Sequence, residues 1–318
     1  MRALTVLEAG AQPVVADITT PGAGPGTVLV KIKAASLNAV DAAIAGGMLA
    51  GMMPHEYPLV IGRDAAGVVE AIGAGVEGIA VGDAVIGAVA FAPPIQAGTI
   101  AEYAAFPVAV TTPKPAGLSF EAAASLPIAG ATAVAAVDAV DAVSPQPGDV
   151  VLVTGAAGGV GSFVVQLLAQ RGATVLATGR ATDAARLTGL GAAQVLDYTT
   201  GSLVDQVLAA YPDGVDALVD LANHAPQDLP LDAVRRGGRV SSPNRAAQGE
   251  AVDSRGLTGF NIGANPVRAV VGPLAEAAAA GTLKVDVSTV LTLDDAASGL
   301  QIFGAGHSRG KTVIRIAD

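Results

Sequence analysis

Cysteine is absent from this 318-residue chain, aromatic residues make up only 3% and charged residues only 14%. Without cysteine there is no disulfide, no thiolate nucleophile and no cysteine-ligated zinc. Three histidines remain as possible metal ligands, but His55, His224 and His307 are scattered without the spacing of a ligand set. We therefore expect no metal site.

Long apolar runs are also missing. A membrane-spanning helix needs about 18 consecutive apolar residues. The richest segment, residues 128–140, is shorter and contains Gly130 and Asp138. Residues 1–6 are typical of a strand and lack the apolar core of a signal peptide. These features predict a cytoplasmic protein that does not enter a membrane.

Basic charge is in deficit, because 18 Lys and Arg face 28 Asp and Glu and leave a net charge of -10. Such a field repels nucleic acid and anionic membranes, and no basic cluster offsets it locally. Small-molecule partners are therefore expected, and local donors must hold any anionic cofactor.

The chain is long enough for two domains, and its texture changes along its length. Residues 1–118 contain short Val-rich strand candidates, such as 27–33, 66–72 and 83–89, which predict a β-rich domain. Residues 119–263 alternate between strand and helix patterns. Residues 264–318 hold a helix candidate at 267–280 and strand candidates at 284–287 and 311–316, so we expect this tail to return to the first domain.

The middle region is expected to form a parallel sheet with helices on both faces, because six strand candidates are interleaved with helices. The strand candidates are residues 149–154, 174–178, 194–197, 215–221, 238–241 and 257–262, and the helix candidates are residues 162–170, 181–190, 203–210 and 229–236.

A glycine-rich turn, Gly155-Ala156-Ala157-Gly158-Gly159-Val160-Gly161, lies between the first of these strands and an amphipathic helix. Gly155 permits the sharp turn, Gly158 lets the backbone approach a pyrophosphate, and Gly161 lets the helix pack closely on the strand. Free N–H groups at the helix start then hold the phosphates. The alternative is an ordinary glycine-rich turn; the flanking strand and helix favour a dinucleotide site.

Cofactor choice depends on the end of the second strand, where NAD sites place an acid about 20 residues beyond the glycines. No acid occurs there before Asp183, whereas Arg180 is suited to pair with a 2′-phosphate and Tyr198 to close over the adenine ribose. NADPH is therefore the predicted cofactor; the alternative for Arg180 is a solvated arginine at a helix start. Further predicted cofactor contacts at strand ends are Thr178, Gly179, Leu221, Ala222, Ser241 and Ile262.

The sequence resembles one family, the medium-chain dehydrogenase/reductases, and within it the zinc-independent quinone oxidoreductase (zeta-crystallin-like) branch. Several motifs carry this resemblance, and they occur in the same order as in that family. The motifs are Ser36-Leu37-Asn38-Ala39-Val40-Asp41, Gly62-Arg63-Asp64-Ala65-Ala66-Gly67-Val68, Gly130-Ala131-Thr132-Ala133, Ala156-Ala157-Gly158-Gly159-Val160-Gly161 and Gly310-Lys311-Thr312-Val313. The resemblance covers nearly the whole chain. It implies an α/β fold, with a Rossmann doubly wound parallel sheet and a GroES-like β-rich domain formed by both chain ends. The active site is then expected in the cleft, and a homo-oligomer, with a dimer favoured, is expected as well.

Without zinc, hydride transfer needs hydrogen-bond donors that stabilise the developing oxyanion or enolate. Asn38 is the first candidate to orient substrate or nicotinamide, and Thr132, which the resemblance places near the nicotinamide, is the second. The alternatives are a loop-capping side chain for Asn38 and a helix hydroxyl satisfied by the backbone for Thr132.

Four other side chains have two interpretations each. Asp41 is a proton relay or a capping acid, and Arg63 binds substrate or pairs with a neighbouring acid. His55 and Tyr57 deliver a proton or simply pack in their loop. The sequence names no general acid.

The leading hypothesis is NADPH-dependent reduction of a quinone or an activated α,β-unsaturated carbonyl. Typical quinone reductases of this branch carry tyrosines after the Asn/Asp segment, whereas residues 42–49 contain none. The alternatives are an enoyl-thioester reductase and a non-catalytic NADPH-binding sensor on the same fold.

Overall fold

The computed structural model describes residues 1–141, 148–304 and 309–317, so His307 lies outside the described residues. The chain divides into two compact units, Met1–Gly130 with Pro266–Asp318 and Ala131–Asn265. We refer to them as unit 1 and unit 2.

The secondary structure of the described residues follows the chain in this order. The strands are β1 (Arg2–Val6), β2 (Val14–Asp17), β3 (Thr27–Ser36), β4 (Leu59–Val60), β5 (Asp64–Ile72), β6 (Ala84–Ala88), β7 (Tyr103–Pro107), β8 (Thr112–Pro113), β9 (Val150–Thr154), β10 (Thr174–Gly179), β11 (Gln194–Asp197), β12 (Val215–Asp220), β13 (Val234–Ser242), β14 (Thr258–Asn261), β15 (Val287–Thr292) and β16 (Lys311–Arg315). The helices are α1 (Ala39–Ala45), α2 (Phe120–Ala124), α3 (Pro127–Asp141), α4 (Gly159–Gln170), α5 (Ala184–Gly189), α6 (Leu203–Ala210), α7 (Glu250–Asp253), α8 (Arg268–Ala279) and α9 (Ala296–Gly304). Short 3-10 turns occupy Val108–Val110, Ala181–Asp183, Pro226–Asp228 and Leu231–Ala233.

Unit 1 is built on a sheet with the strand order β15-β16-β3-β5-β6-β8, to which β7 adds by pairing with β3; a smaller sheet has the order β2-β1-β4. The C-terminal strand β16 pairs antiparallel with β3, with Val313 opposite Ser36. The core likewise joins both ends of the chain, because Ile32 and Phe106 pack in one cluster with Leu300 and Ile314. The prediction of a β-rich domain formed by both chain ends is confirmed.

Unit 2 contains a parallel sheet with the order β11-β10-β9-β12-β13-β14. Leu152 of β9 lies in register with Leu176 of β10 and with Leu218 of β12, and all three are buried. Continuous apolar strands of this kind belong in a sheet that is covered on both faces. The prediction of a doubly wound Rossmann sheet is confirmed.

One predicted helix, residues 229–236, is wrong. Leu231–Ala233 form a single 3-10 turn, and β13 begins at Val234, which pairs with Val215 of β12. The reason lies in the burial pattern: Leu229, Leu231 and Ala233 are all buried, and this period of two suits an extended segment more than a helix.

The boundaries of two other features differ from expectation. The strand expected at residues 284–287 lies further along, as β15, where it pairs in parallel with β16. The sequence texture changes after residue 118, but the first unit extends to Gly130. It does so because α2 packs against β3 and β5 of unit 1. No helix among the described residues has both the length and the apolar character needed to cross a membrane.

Candidate cofactor site and candidate active site

The glycine-rich turn connects β9 to α4, and two of its glycines are required by the local geometry. Gly155 has φ of 64°, in the left-handed region that glycine adopts without strain. A Cβ on Gly161 would lie 2.3 Å from the carbonyl oxygen of Gly155, so only hydrogen fits there. The N-cap residue of α4 is Gly158, which has no side chain to bond the first helical N–H groups. These donors and the positive end of the helix dipole can bind an anion.

A buried carboxylate orders the loop next to this turn. Asp220, the last residue of β12, accepts hydrogen bonds from Thr154 Oγ1 (2.5 Å) and from Asn223 Nδ2 (2.7 Å). Burial raises the pKa of Asp220 above its ordinary value. The predicted contact residues Leu221 and Ala222 lie inside this loop, and a Cβ on Gly155 would lie 3.2 Å from Leu221. An acid at a strand end carries no distinctive pattern, so the sequence alone does not single out Asp220.

Two predicted cofactor residues meet at the carboxyl ends of β10 and β11. Arg180 follows β10 directly, and its Nε donates to the hydroxyl oxygen of Tyr198 at 3.2 Å. Thr178 and Gly179 lie buried at the end of β10. Asp197, the last residue of β11, accepts from the backbone N–H of Ala181 at 2.9 Å. This end of the sheet therefore presents an arginine and a tyrosine side by side.

Ser241 lies in β13 and Ile262 directly follows β14, on the other side of β9 and β12 in the same sheet. The Ser241 hydroxyl is buried and donates to the carbonyl oxygen of Ala136 in α3 at 3.0 Å. The backbone N–H of Ile262 donates to Ser242 at 3.0 Å. The Ser241 side chain thus connects α3 to β13, and Ile262 is partly exposed just beyond β14.

In unit 1, Asn38 is held at the start of α1 by two charged residues. Its Oδ1 accepts from Lys311 Nζ at 2.7 Å, and its Nδ2 donates to Asp64 Oδ1 at 2.9 Å. A flipped amide would place oxygen against carboxylate and NH2 against ammonium, so the charges fix the orientation. Asn38 occupies the N-cap position, but its side chain makes no capping bond. The sequence predicts Lys311 only as part of the last strand, because its hydrogen-bond partners lie far away in the chain.

A second acid borders this network. Asp41 Oδ2 accepts the backbone N–H of Asn38 at 2.8 Å, so Asp41 does act as a capping acid. Its Oδ1 lies 4.0 Å from Arg63 Nε. Burial, partly offset by Arg63, raises the pKa of Asp41 from 3.8 to about 7. Burial also raises the pKa of Asp64 and lowers that of Lys311.

The remaining candidates are placed as follows. Arg63 is buried and donates to the carbonyl oxygens of Val60 and Ala97, which matches a bracing role between loops. The rings of His55 and Tyr57 pack edge to face, with their centroids 6.5 Å apart. Thr132 is buried in α3 and belongs to unit 2, whereas Asn38 belongs to unit 1.

Comparisons with known proteins address the family. The alcohol dehydrogenase GroES-like domain matches residues 24–116, and the zinc-binding dehydrogenase family matches residues 190–314. The chloroplast envelope quinone oxidoreductase homolog of Arabidopsis thaliana is 32% identical over 252 residues, which are 77% of this chain and 70% of that protein. The structure of the quinone oxidoreductase from Coxiella burnetii has a TM-score of 0.88 at 29% identity and covers 100% of this chain and 99% of that chain. A mycobacterial protein complexed with NADPH has a TM-score of 0.83 at 26% identity and covers 99% of this chain and 100% of that chain.

The chain belongs to the zinc-independent quinone oxidoreductase branch of the medium-chain dehydrogenase/reductases. The family assignment from the sequence motifs is confirmed, and the protein is an oxidoreductase.

One of the matching families is named for zinc, but this medium-chain reductase lacks a set of zinc ligands among its described residues. The chain has no cysteine, and the described residues contain no group of three His, Cys, Asp or Glu that could hold a metal. The two acids nearest Asn38 are already engaged with Arg63 and Lys311. These residues do not fit a zinc ion.

A nicotinamide dinucleotide does fit this reductase. Only hydrogen is tolerated at Gly161, the start of α4 lacks a side-chain cap, and Arg180 with Tyr198 lies at the neighbouring strand ends. Backbone donors for a pyrophosphate and polar groups for a ribose are thus present in one sheet, at the edge where dinucleotides bind in this fold.

Proposed function

We propose that this protein is an NADPH-dependent, zinc-independent reductase of quinones or activated α,β-unsaturated carbonyls. Unit 2 is assigned to the cofactor and unit 1 to the substrate. When bound, NADPH supplies a hydride, and the reduced product takes up a proton from the protein or from water.

The observation that carries the cofactor assignment is the position of Arg180. In an NAD site, an acid at this strand end accepts hydrogen bonds from the ribose hydroxyls and would repel a 2′-phosphate. Arg180 instead offers a planar guanidinium suited to phosphate, held by Tyr198 at 3.2 Å. The mycobacterial relative complexed with NADPH supports the same choice.

In unit 1, one residue can orient the substrate and another can exchange a proton. Asn38 presents an amide of fixed orientation, because Lys311 and Asp64 hold its two ends. The other hydrogen of Nδ2 makes only a long contact, 3.5 Å, to the carbonyl oxygen of Ser36. We assign this hydrogen to the carbonyl oxygen of the substrate, which would replace that contact. Asp41, whose pKa is raised to about 7, can exchange a proton near neutral pH.

One observation favours a second candidate, a sensor that binds NADPH without turnover. Both ends of the Asn38 amide already have partners inside unit 1, and Asn38 is only 7% exposed. In that case the network serves stability alone, and the missing tyrosines of residues 42–49 remove the substrate contacts.

A turnover assay separates the two candidates. The purified protein is given NADPH or NADH with a panel of quinones, enones and an enoyl thioester, and cofactor oxidation is followed with time. We expect NADPH-dependent reduction of at least one quinone or enone, and a loss of turnover, with cofactor binding retained, in Asn38→Ala. Binding of NADPH without oxidation by any acceptor would support the sensor, and reduction of the enoyl thioester alone would replace the proposed substrate class.

A further inference from the structure

Arg186, on helix α5, reaches back to the glycine-rich turn. Its Nη2 donates to the carbonyl oxygen of Ala157 at 2.9 Å, and its side chain is 27% exposed. The guanidinium therefore lies beside the turn whose backbone donors are assigned to the cofactor phosphates. The sequence alone does not single out Arg186, because no pattern shows which side of α5 lies against the glycine-rich turn.

Asp183 links Arg186 to Arg180. The Asp183 Oδ2 atom accepts the backbone N–H of Arg180 at 3.2 Å, while its Oδ1 lies 3.6 Å from Arg186 Nη2. Because the Asp183 side chain is only 5% exposed, it is a fixed anchor for both. The segment that follows β10 and the first turn of α5 are thus held together, and each carries one arginine.

We propose that Arg186 is a second arginine, in addition to Arg180, that selects NADPH over NADH by binding its 2′-phosphate. The inference rests on the proposed function, since it requires NADPH to be the cofactor. It extends that proposal from one residue to a pair that spans the end of β10 and the glycine-rich turn.

The chemistry of the ligand explains why one arginine is too few. A phosphate monoester carries a charge of about -1.5 to -2 and three strong acceptor oxygens at neutral pH. Arg180 already donates its Nε to Tyr198, and Asp197 lies close enough to offset its charge. The net charge of -10 means that the protein as a whole repels an anion. The guanidinium of Arg186 adds positive charge beside the glycine-rich turn, and Asp183, 3.6 Å from its Nη2, offsets part of that charge.

A purely structural role for Arg186 predicts something different. If its bond to Ala157 only shaped the glycine-rich turn, removing it would weaken NADPH and NADH alike, because both carry the same pyrophosphate. Selective loss of NADPH therefore distinguishes phosphate recognition from turn shaping.

The test measures dissociation constants for NADPH and NADH with wild type, Arg186→Ala, Arg186→Lys, Arg180→Ala and the double alanine variant. Dihydronicotinamide fluorescence reports binding without interference from tryptophan, which the chain lacks. Calorimetry with 2′,5′-ADP and 5′-AMP isolates the 2′-phosphate from the rest of the cofactor. Arg255→Ala, which removes an exposed arginine paired with Asp232 in the same unit, is the matched control for loss of one positive charge.

We expect Arg186→Ala to raise the dissociation constant for NADPH by about tenfold and that for NADH by less than about twofold, as loss of one charge-assisted contact predicts. Arg186→Lys should recover part of the loss, the double variant should lose discrimination, and Arg255→Ala should match wild type. Equal weakening of both cofactors, or no change in either, would overturn the role of Arg186. If wild type itself bound neither cofactor, or preferred NADH, the proposed function would fail instead.

Discussion

The Nε atom of Arg180 donates a hydrogen bond to the hydroxyl oxygen of Tyr198, 18 residues further along the chain. The two residues meet because they directly follow β10 and β11, parallel neighbours in which Gly179 lies opposite Asp197. In a parallel sheet, successive carboxyl ends share one edge, so strand order alone brings them together. The pair forms the polar edge assigned to the adenosine half of the cofactor.

Arg180→Ala should reduce the preference for NADPH over NADH, because it removes a guanidinium from the position assigned to the 2′-phosphate. The ratio of the kcat/KM values for the two cofactors measures this preference. We expect it to fall by about tenfold, the effect of one charge-assisted hydrogen bond. An unchanged ratio would contradict the assignment of Arg180.

Tyr198→Phe should weaken NADPH by about threefold, since the hydroxyl that holds Arg180 is lost while the ring remains. The substitution removes the 3.2 Å hydrogen bond to Arg180 and keeps the ring, so the binding of NADH should be nearly unaffected. Binding titrations with both cofactors check the effect. If Tyr198→Phe weakened the binding of both cofactors equally, the hydroxyl would act on a part that both cofactors share, such as the adenine ribose, and not through Arg180.

Lys311→Met should lower kcat more than it raises KM, because Asn38 loses the ammonium that fixes its amide. It should also lower the free energy of unfolding by about 3–5 kcal/mol, the usual cost of leaving a buried charge such as Asp64 unpaired. The side chains of Lys311 and Asp64 are buried, and Lys311 Nζ is 2.7 Å from Asn38 Oδ1. Steady-state kinetics and denaturant unfolding test the two effects.

The double variant Lys311→Met with Asp64→Asn serves as the control for Lys311→Met. It removes the orphaned carboxylate, so stability should partly return while turnover stays low. Recovery of turnover together with stability would show that Lys311 has a structural role only.

Asp41→Asn should flatten the dependence of stability on pH between about pH 4 and 7, the interval between the unfolded and folded pKa values of Asp41. The pKa of Asp41 is raised from 3.8 to about 7 in the fold, so its stabilising contribution is full below 3.8 and is lost as the pH rises through about 7. One proton sets a slope of at most about 1.4 kcal/mol per pH unit. Arg63, Asp64 and Lys311 surround Asp41 in both proteins, so the difference between the two curves isolates Asp41. Parallel curves would contradict this prediction.

Gly161→Ala should abolish cofactor binding and lower the free energy of unfolding by about 1–3 kcal/mol, as forced overpacking does. The new Cβ would lie 2.3 Å from the Gly155 carbonyl oxygen and would push the turn away from α4. Gly189→Ala, at the end of α5, is the matched control, because a Cβ there meets nothing within 4 Å. Wild-type binding in Gly161→Ala would refute the role of close packing in this turn.

Much of unit 2 was predictable because its signals are local. The apolar run before Gly155, the glycines and the following amphipathic helix are contiguous, and each obeys a simple period. The error at residues 229–236 arose where burial alternates through Leu229, Leu231 and Ala233 without a regular strand. There strand pairing decided the structure, since Val234 pairs with Val215 of the neighbouring strand β12.

The sequence by itself determined the family, the two-domain α/β fold and the stretch of chain that turns from β9 into α4, because these depend on neighbouring residues and on motif order. Only the tertiary structure decided that Lys311 and Asp64 hold Asn38 from opposite sides, that Asp220 orders the loop beside Gly155, and that Arg186 reaches Ala157. Lys311 and Asn38 are 273 residues apart in the chain. No local pattern encodes such a distance; it is set by β16 pairing with β3 and by the burial that forces each charge to find a partner.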